Sequence, residues 1–129
     1  MIHLRTPEEM DAVGRGGAII AGLLTELHER VIPGVSTQDL NTVCDDYIVS
    51  HEGAVPAFKG LYGFPGSVCT SVNEEVVHGI PNAERVLNEG DIVSIDVGVK
   101  IEGWCSDSAW TFRVGEVSDD VQRLLDVTE

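Results

Sequence analysis

The sequence predicts an α/β (α+β) domain in which helices pack on an antiparallel sheet. Three observations predict it. Residues 6–53 carry apolar side chains at spacings of three and four between clear start and stop signals. From Ala54 onward, glycine and proline punctuate short β-branched runs. Between Asp91 and Arg113, two long β runs flank Lys100-Ile101-Glu102-Gly103, the pattern of a hairpin. At 129 residues the chain is the length of one domain and can bury a real core.

The first helix opens at Thr6-Pro7-Glu8-Glu9. A hydroxyl at the N-cap, proline at the first helical position and a carboxylate at the third make a capping box. Met10, Val13, Gly17, Ile20, Leu24, Leu27 and Val31 form the expected apolar face, and Pro33-Gly34 ends the helix. Gly14, Gly16 and Gly17 are costly inside a helix, so another element is expected to approach there. A second helix starts at Ser36 with Asp39 as its reciprocal cap, turns Leu40, Val43, Cys44, Tyr47 and Ile48 inward, and stops by Gly53. Strand signals follow at Val68–Val72 and Val76–Pro81 and, most strongly, from Asp91 to Arg113. Ser118-Asp119-Asp120 opens a last helix with Val121, Leu124 and Leu125 inward. The chain stops at Glu129 without a glycine or a cationic last turn, which reads as a cut within a helix.

Lys plus Arg is 8 and Asp plus Glu is 22, a formal charge of −14. That sign excludes a nucleic-acid partner, which needs a basic footprint, and a polybasic membrane anchor. Hydrophobic residues at 43% and charged residues at 23% describe a folding domain, not a disordered acidic tail. The three cysteines, Cys44, Cys69 and Cys105, have no Cys-x-x-Cys spacing, so neither a disulfide scaffold nor a cysteine zinc site is expected. The N-terminus lacks an apolar signal region, and the longest apolar run, Gly16 to Leu24, is too short to span a bilayer. The expected setting is cytoplasmic.

The hairpin carries the chemistry. If residues 100–103 form its loop, Asp96 faces Asp107 directly, with Cβ atoms about 4.5–5.5 Å apart. Alternation sorts Ile92, Ser94, Asp96, Gly98, Cys105, Asp107, Ala109 and Thr111 onto one small, polar face. Val93, Ile95, Val97, Val99, Trp104, Trp110 and Phe112, with Ser106 and Ser108, go to the other, mainly core face. Two such carboxylates can share a proton, hold a divalent cation, or stand as ordinary solvated aspartates if the register slips by one. His78 sits between two valines and Gly79-Ile80-Pro81, where Pro81 extends Ile80 and Gly79 admits a close neighbour. By itself it is either a packed or surface histidine or a site residue. Cys105 shares the carboxylate face but is expected to be buried, and Glu74-Glu75 to be a solvated turn. Phe58, Leu61 and Phe64, spaced by glycines, either anchor a loop or wall an apolar pocket.

Three long stretches in order are specific enough to suggest a family. Phe64-Pro-Gly-Ser-Val-Cys-Thr-Ser-Val-Asn-Glu-Glu-Val-Val-His-Gly-Ile-Pro81, then Gly90-Asp-Ile-Val-Ser-Ile-Asp-Val-Gly98, then Gly103-Trp-Cys-Ser-Asp-Ser-Ala-Trp-Thr-Phe112 closely resemble the type I methionine aminopeptidases. The likeness runs end to end from Arg5-Thr6-Pro7-Glu8-Glu9. It implies half of the pita-bread fold, with residues 1–129 as the N-terminal half of a metallopeptidase domain and the C-terminal half absent. It also implies removal of the initiator methionine from nascent chains at a site of two divalent ions (Co, Mn, Fe or Zn). In the family, the positions of Asp96 and Asp107 are metal ligands, the second bridging. The position of His78 contacts substrate and stabilises the transition state. Phe58, Leu61 and Phe64 fall where the family lines its methionine pocket, with Leu61 at a place usually aromatic.

A His and two Glu ligands of the family lie beyond residue 129, so this chain's metal site is incomplete and the chain alone is expected to have little activity. Three accounts remain open at this level. The chain is the N-terminal half of a longer enzyme, a half-enzyme completed by a partner chain or by self-association, or a non-catalytic binding module of the same fold. Retention of Asp96, Asp107 and His78 disfavours the last. The expected substrate is a peptide or nascent-chain N-terminus.

Overall fold

The computed structural model describes residues 2–128. Helix α1 spans Pro7–Arg30, α2 Thr37–Val49 and α3 Asp119–Thr128. The strands are β1 (Val55–Pro56), β2 (Val68–Val72), β3 (Ile92–Ile101) and β4 (Trp104–Arg113). The sheet is antiparallel throughout and β3 is its centre. β4 pairs with β3 along its whole length, while β2 and then β1 share the opposite edge.

Both capping boxes form as the sequence implies. Thr6 accepts from the Glu9 amide at 3.3 Å while Glu9 accepts from the Thr6 amide at 2.9 Å. Ser36 and Asp39 exchange the equivalent bonds, each at 3.1 Å. α1 lies on β3 and β4, and α2 on β1 and β2, so both helices cover one face of the sheet. Their core residues Leu23, Leu27, Leu40, Cys44 and Ile48 meet Val93, Ile95, Val97 and Val99 of β3, and all are fully buried. The division of the hairpin into a core face and an open face therefore stands.

The buried line of α1 is rotated from the expected one. Ala12, Gly16, Ile19, Ile20, Leu23 and Leu27 point inward, whereas Met10 is exposed. The reason is β4, which comes so close that Ser106 Oγ donates to the Val13 carbonyl at 2.6 Å. A Cβ built on Gly16 would stand 3.0 Å from Ser106 Cβ. Only a glycine admits that contact. A Cβ on Gly14 or Gly17 would meet nothing within 4 Å, so of these three glycines only Gly16 is closely approached.

Other expectations need correction. The hairpin turns on Glu102 and Gly103 alone, at φ of 52° and 83°, instead of on a four-residue loop. Residues 76–81 form no strand: Val76 and Val77 are exposed, and only Gly79 hydrogen-bonds to β2. β1 is a strand that the sequence did not announce, with its proline on a sheet edge where a missing donor is tolerated. α3 forms from Asp119, but Leu124 is 53% exposed and none of its described residues is fully buried. No helix among the described residues is long and apolar enough to cross a membrane.

Candidate active site

With α1 and α2 on one face of the sheet, the other face is open to carry a site. Asp96 and Asp107 both stand on it, because opposite residues share a face and β3–β4 pairs sum to an odd number, as 96 and 107 do. They are not directly opposite, as the four-residue loop had implied. Asp96 faces Ala109 and Asp107 faces Gly98, so the carboxylates are diagonal neighbours. The tighter turn moves the pairing by two residues, which keeps the faces and changes only the offset. Ser94 and Thr111, one step further along the same face, share a hydroxyl hydrogen bond of 2.7 Å.

Two loops cross above this face and form the walls. The first carries Phe58, Leu61 and Phe64 through a short 3₁₀ turn at Leu61–Gly63, with Tyr62 at φ 50°. Phe58 is seated directly on β3: a Cβ built on Gly98 would lie 2.9 Å from the ring's Cζ. The second loop carries His78 and is fixed by Gly79, whose carbonyl accepts from the Thr70 amide at 2.9 Å and whose amide donates to Ser71 Oγ at 3.1 Å. A Cβ on Gly79 would stand 2.9 Å from Ser71 Cα, so glycine is required for this approach.

Between loops and sheet lies a cavity of about 550 Å³ that brings all six residues of interest together: Phe58, Leu61, Phe64, His78, Asp96 and Asp107. Tyr62, Ile80 and Cys69 line it too, and the sequence did not single them out as site residues. Cys69 could have been found from the ladder, since it pairs with Asp96 across β2 and β3 and so faces the cavity. Cys105, expected to be buried, is exposed near the hairpin end. A larger cavity of about 830 Å³ between β4 and α3 contains none of these groups.

The electrostatics of the pair are unfavourable as the chain stands. Burial, then the charge of Asp107 and the hydrogen bond that a protonated Asp96 makes to it, raise the Asp96 carboxyl from 3.8 to about 6, with His78 opposing. Burial and the same two carboxylates push the Cys69 thiol up to about 11, so it stays protonated at neutral pH. Asp96 Oδ1 is buried with no hydrogen-bond partner, a costly state for a carboxylate oxygen. Paired carboxylates with an orphaned oxygen fit a divalent cation, which would neutralise both. They fit only one side of one, because among the described residues no group of three or more His, Cys, Asp and Glu is placed to hold a metal ion.

Comparison with known proteins gives the same direction. Residues 11–129 match metallopeptidase family M24. Methionine aminopeptidase 1 of Bacillus subtilis is 50% identical over 129 residues, covering 100% of this chain and 51% of that protein. The crystal structure of methionine aminopeptidase from Rickettsia prowazekii superposes with a TM-score of 0.94 at 41% identity, over 99% of this chain and 51% of that one. A Xaa-Pro dipeptidase from Bacillus anthracis shares the fold, with a TM-score of 0.81 at 21% identity over 96% of this chain and 33% of the other. The chain spans about half the length of the curated relatives it matches.

Proposed function

The chain belongs to metallopeptidase family M24, and from that premise we propose that it forms one half of a methionine aminopeptidase site. One observation carries the reading: Phe58, Leu61, Phe64, His78, Asp96 and Asp107 line a single cavity on the face of the sheet opposite α1 and α2. Apolar rings at one end and paired carboxylates at the other suit a peptide whose first side chain is a thioether and whose scissile amide must be hydrolysed.

In this reading Asp96 and Asp107 would be the ligands that the chain contributes to divalent ions. Bound there, such ions would lower the pKa of water and polarise the amide carbonyl. Phe58, Leu61 and Phe64 exclude water from around the methionine side chain. His78, exposed at the rim, would donate a hydrogen bond to the substrate or to the oxygen on which charge develops. Two carboxylates cannot complete a dinuclear centre, so the remaining donors must come from outside these 129 residues.

The test has two arms. Calorimetric titration with Mn²⁺ should show weak binding that Asp96→Asn and Asp107→Asn each abolish. Release of methionine from a Met-Ala peptide with added Co²⁺ or Mn²⁺ should be far below that of a full-length relative. Unchanged Mn²⁺ binding in both variants would remove the proposed ligands. Full turnover by the isolated chain would show that no further donors are needed.

A further inference from the structure

We propose that α2 is a positioning clamp, whose Thr37, Asn41 and Asp45 hold both pocket loops in register with the carboxylate pair; this rests on the pocket reading above. These residues lie four apart, so they form one line along the helix, adjacent to the line Leu40, Cys44 and Ile48 that enters the core. Thr37 holds one loop, while Asn41 and Asp45 hold the other and share Ser67.

Thr37, fully buried, holds the far end of the His78 loop. Its hydroxyl donates to the Asn82 carbonyl at 3.0 Å and accepts from the Asn82 amide at 2.9 Å. Asp45 holds the base of the phenylalanine loop, accepting from Lys59 Nζ at 3.0 Å and from Ser67 Oγ. Burial pushes its carboxyl up, but the bonds from Ser67 and Lys59 outweigh this and leave it below the usual range. It therefore stays charged at neutral pH, as an anchor for two donors must.

Asn41 sits where the two loops meet. Its Oδ1 accepts from the Ser67 amide at 2.7 Å and from the Val68 amide at 3.4 Å, fixing the residue that leads into β2. Just above it Gly66 of the first loop touches Pro81 of the second. A Cβ on Gly66 would lie 3.0 Å from Pro81 Cγ and 3.1 Å from Asn41 Oδ1. The loops thus lean on each other at one point, and the helix holds that point from below. None of the three side chains lines the cavity. They act on substrate only through Phe58, Phe64 and His78.

The chain has three phenylalanines, Phe58, Phe64 and Phe112, which allows a direct test. Two line the cavity and Phe112 is buried in the core. The 129-residue chain labelled with 4-fluorophenylalanine should give three ¹⁹F resonances, each assigned by a Phe→Leu substitution. Asn41→Leu and Thr37→Val should shift or broaden the Phe58 and Phe64 signals and leave Phe112 in place. Amide exchange at Ser67 and Asn82 should quicken about tenfold or more, the scale of one lost buried hydrogen bond. Asn41→Asp and Thr37→Ser, which keep the acceptor or hydroxyl, should restore the parent spectrum. Pocket signals unchanged in both disruptive variants would overturn the clamp. So would equal disturbance of all three rings, which would mean general loosening. Neither metal nor substrate is present, so a failed peptidase assay leaves this outcome untouched, and a failed clamp leaves the peptidase reading standing.

Discussion

Asp96 combines burial, a like charge and an unpartnered oxygen, and its behaviour with pH follows. Its folded pKa is raised, so between pH 4 and 6 the native state binds more protons than the unfolded chain. Stability therefore falls as pH rises through that window. Solvent screening at this half-open site reduces the effect to about 1 kcal/mol. Urea unfolding at pH 4.5 and 6.5 should show the loss in the parent and not in Asp96→Asn; an equal loss in both would place its origin elsewhere. Gly98 is the second residue whose surroundings make a prediction. A methyl there meets the Phe58 ring, so Gly98→Ala should cost about 1–3 kcal/mol. In a Phe58→Leu background part of the cost should vanish, the Ala57 Cβ at 3.0 Å staying in the way, and a double-mutant cycle without coupling would contradict the contact. The Asp pair and His78 could be singled out because they stand in long motifs, and Cys69 could not, since its place on the cavity depends on which β3 residue it faces.

The same contrast holds for whole elements. Both helix starts could be read because a capping box is local: four residues contain the hydroxyl, the carboxylate and the amides they satisfy. The inward face of α1 could not, since its first buried positions are Ala12 and Gly16, too small to register as apolar. The hairpin turn was hidden for a different reason. Glu102 holds a positive φ that glutamate seldom adopts, so Glu-Gly lacks the Asn-Gly signature of a two-residue turn. Arg15 of α1 forms an ion pair with Glu102 there, a tertiary contact that no local pattern reveals. Residues 76–81 look like a strand by composition, yet Ser71 Oγ takes the Gly79 amide and the ladder goes no further. Gly103, at φ 83°, then gives an element-scale prediction. Gly103→Ala should destabilise the hairpin by about 1 kcal/mol, read as a lower urea midpoint at unchanged slope. No change would show that the turn relaxes to another form.

Across the whole molecule the division of labour is simple: α1 and α2 on one side of the sheet, loops and carboxylates on the other. The fold class was readable from the order of periodicities alone, whereas the placement of the second loop over β2 required the folded chain. A formal charge of −14 spread over 129 residues should oppose compaction. Raising NaCl from 0.05 to 0.5 M with a chelator present should therefore lift Tm by about 2–5 °C. A flat or falling Tm would show that local ion pairs such as Lys59–Asp45 outweigh the overall repulsion.

The two-residue turn also decides which changes of length the hairpin can survive. One extra residue taken up by the β3–β4 ladder would bring Asp107 opposite Val97 and drive its carboxylate beneath the sheet, among the valines. Two extra residues would return it to the open side, now squarely opposite Asp96. Insertions and deletions in this hairpin are thus sorted by parity, with odd ones destroying the acidic pair and even ones only altering its spacing.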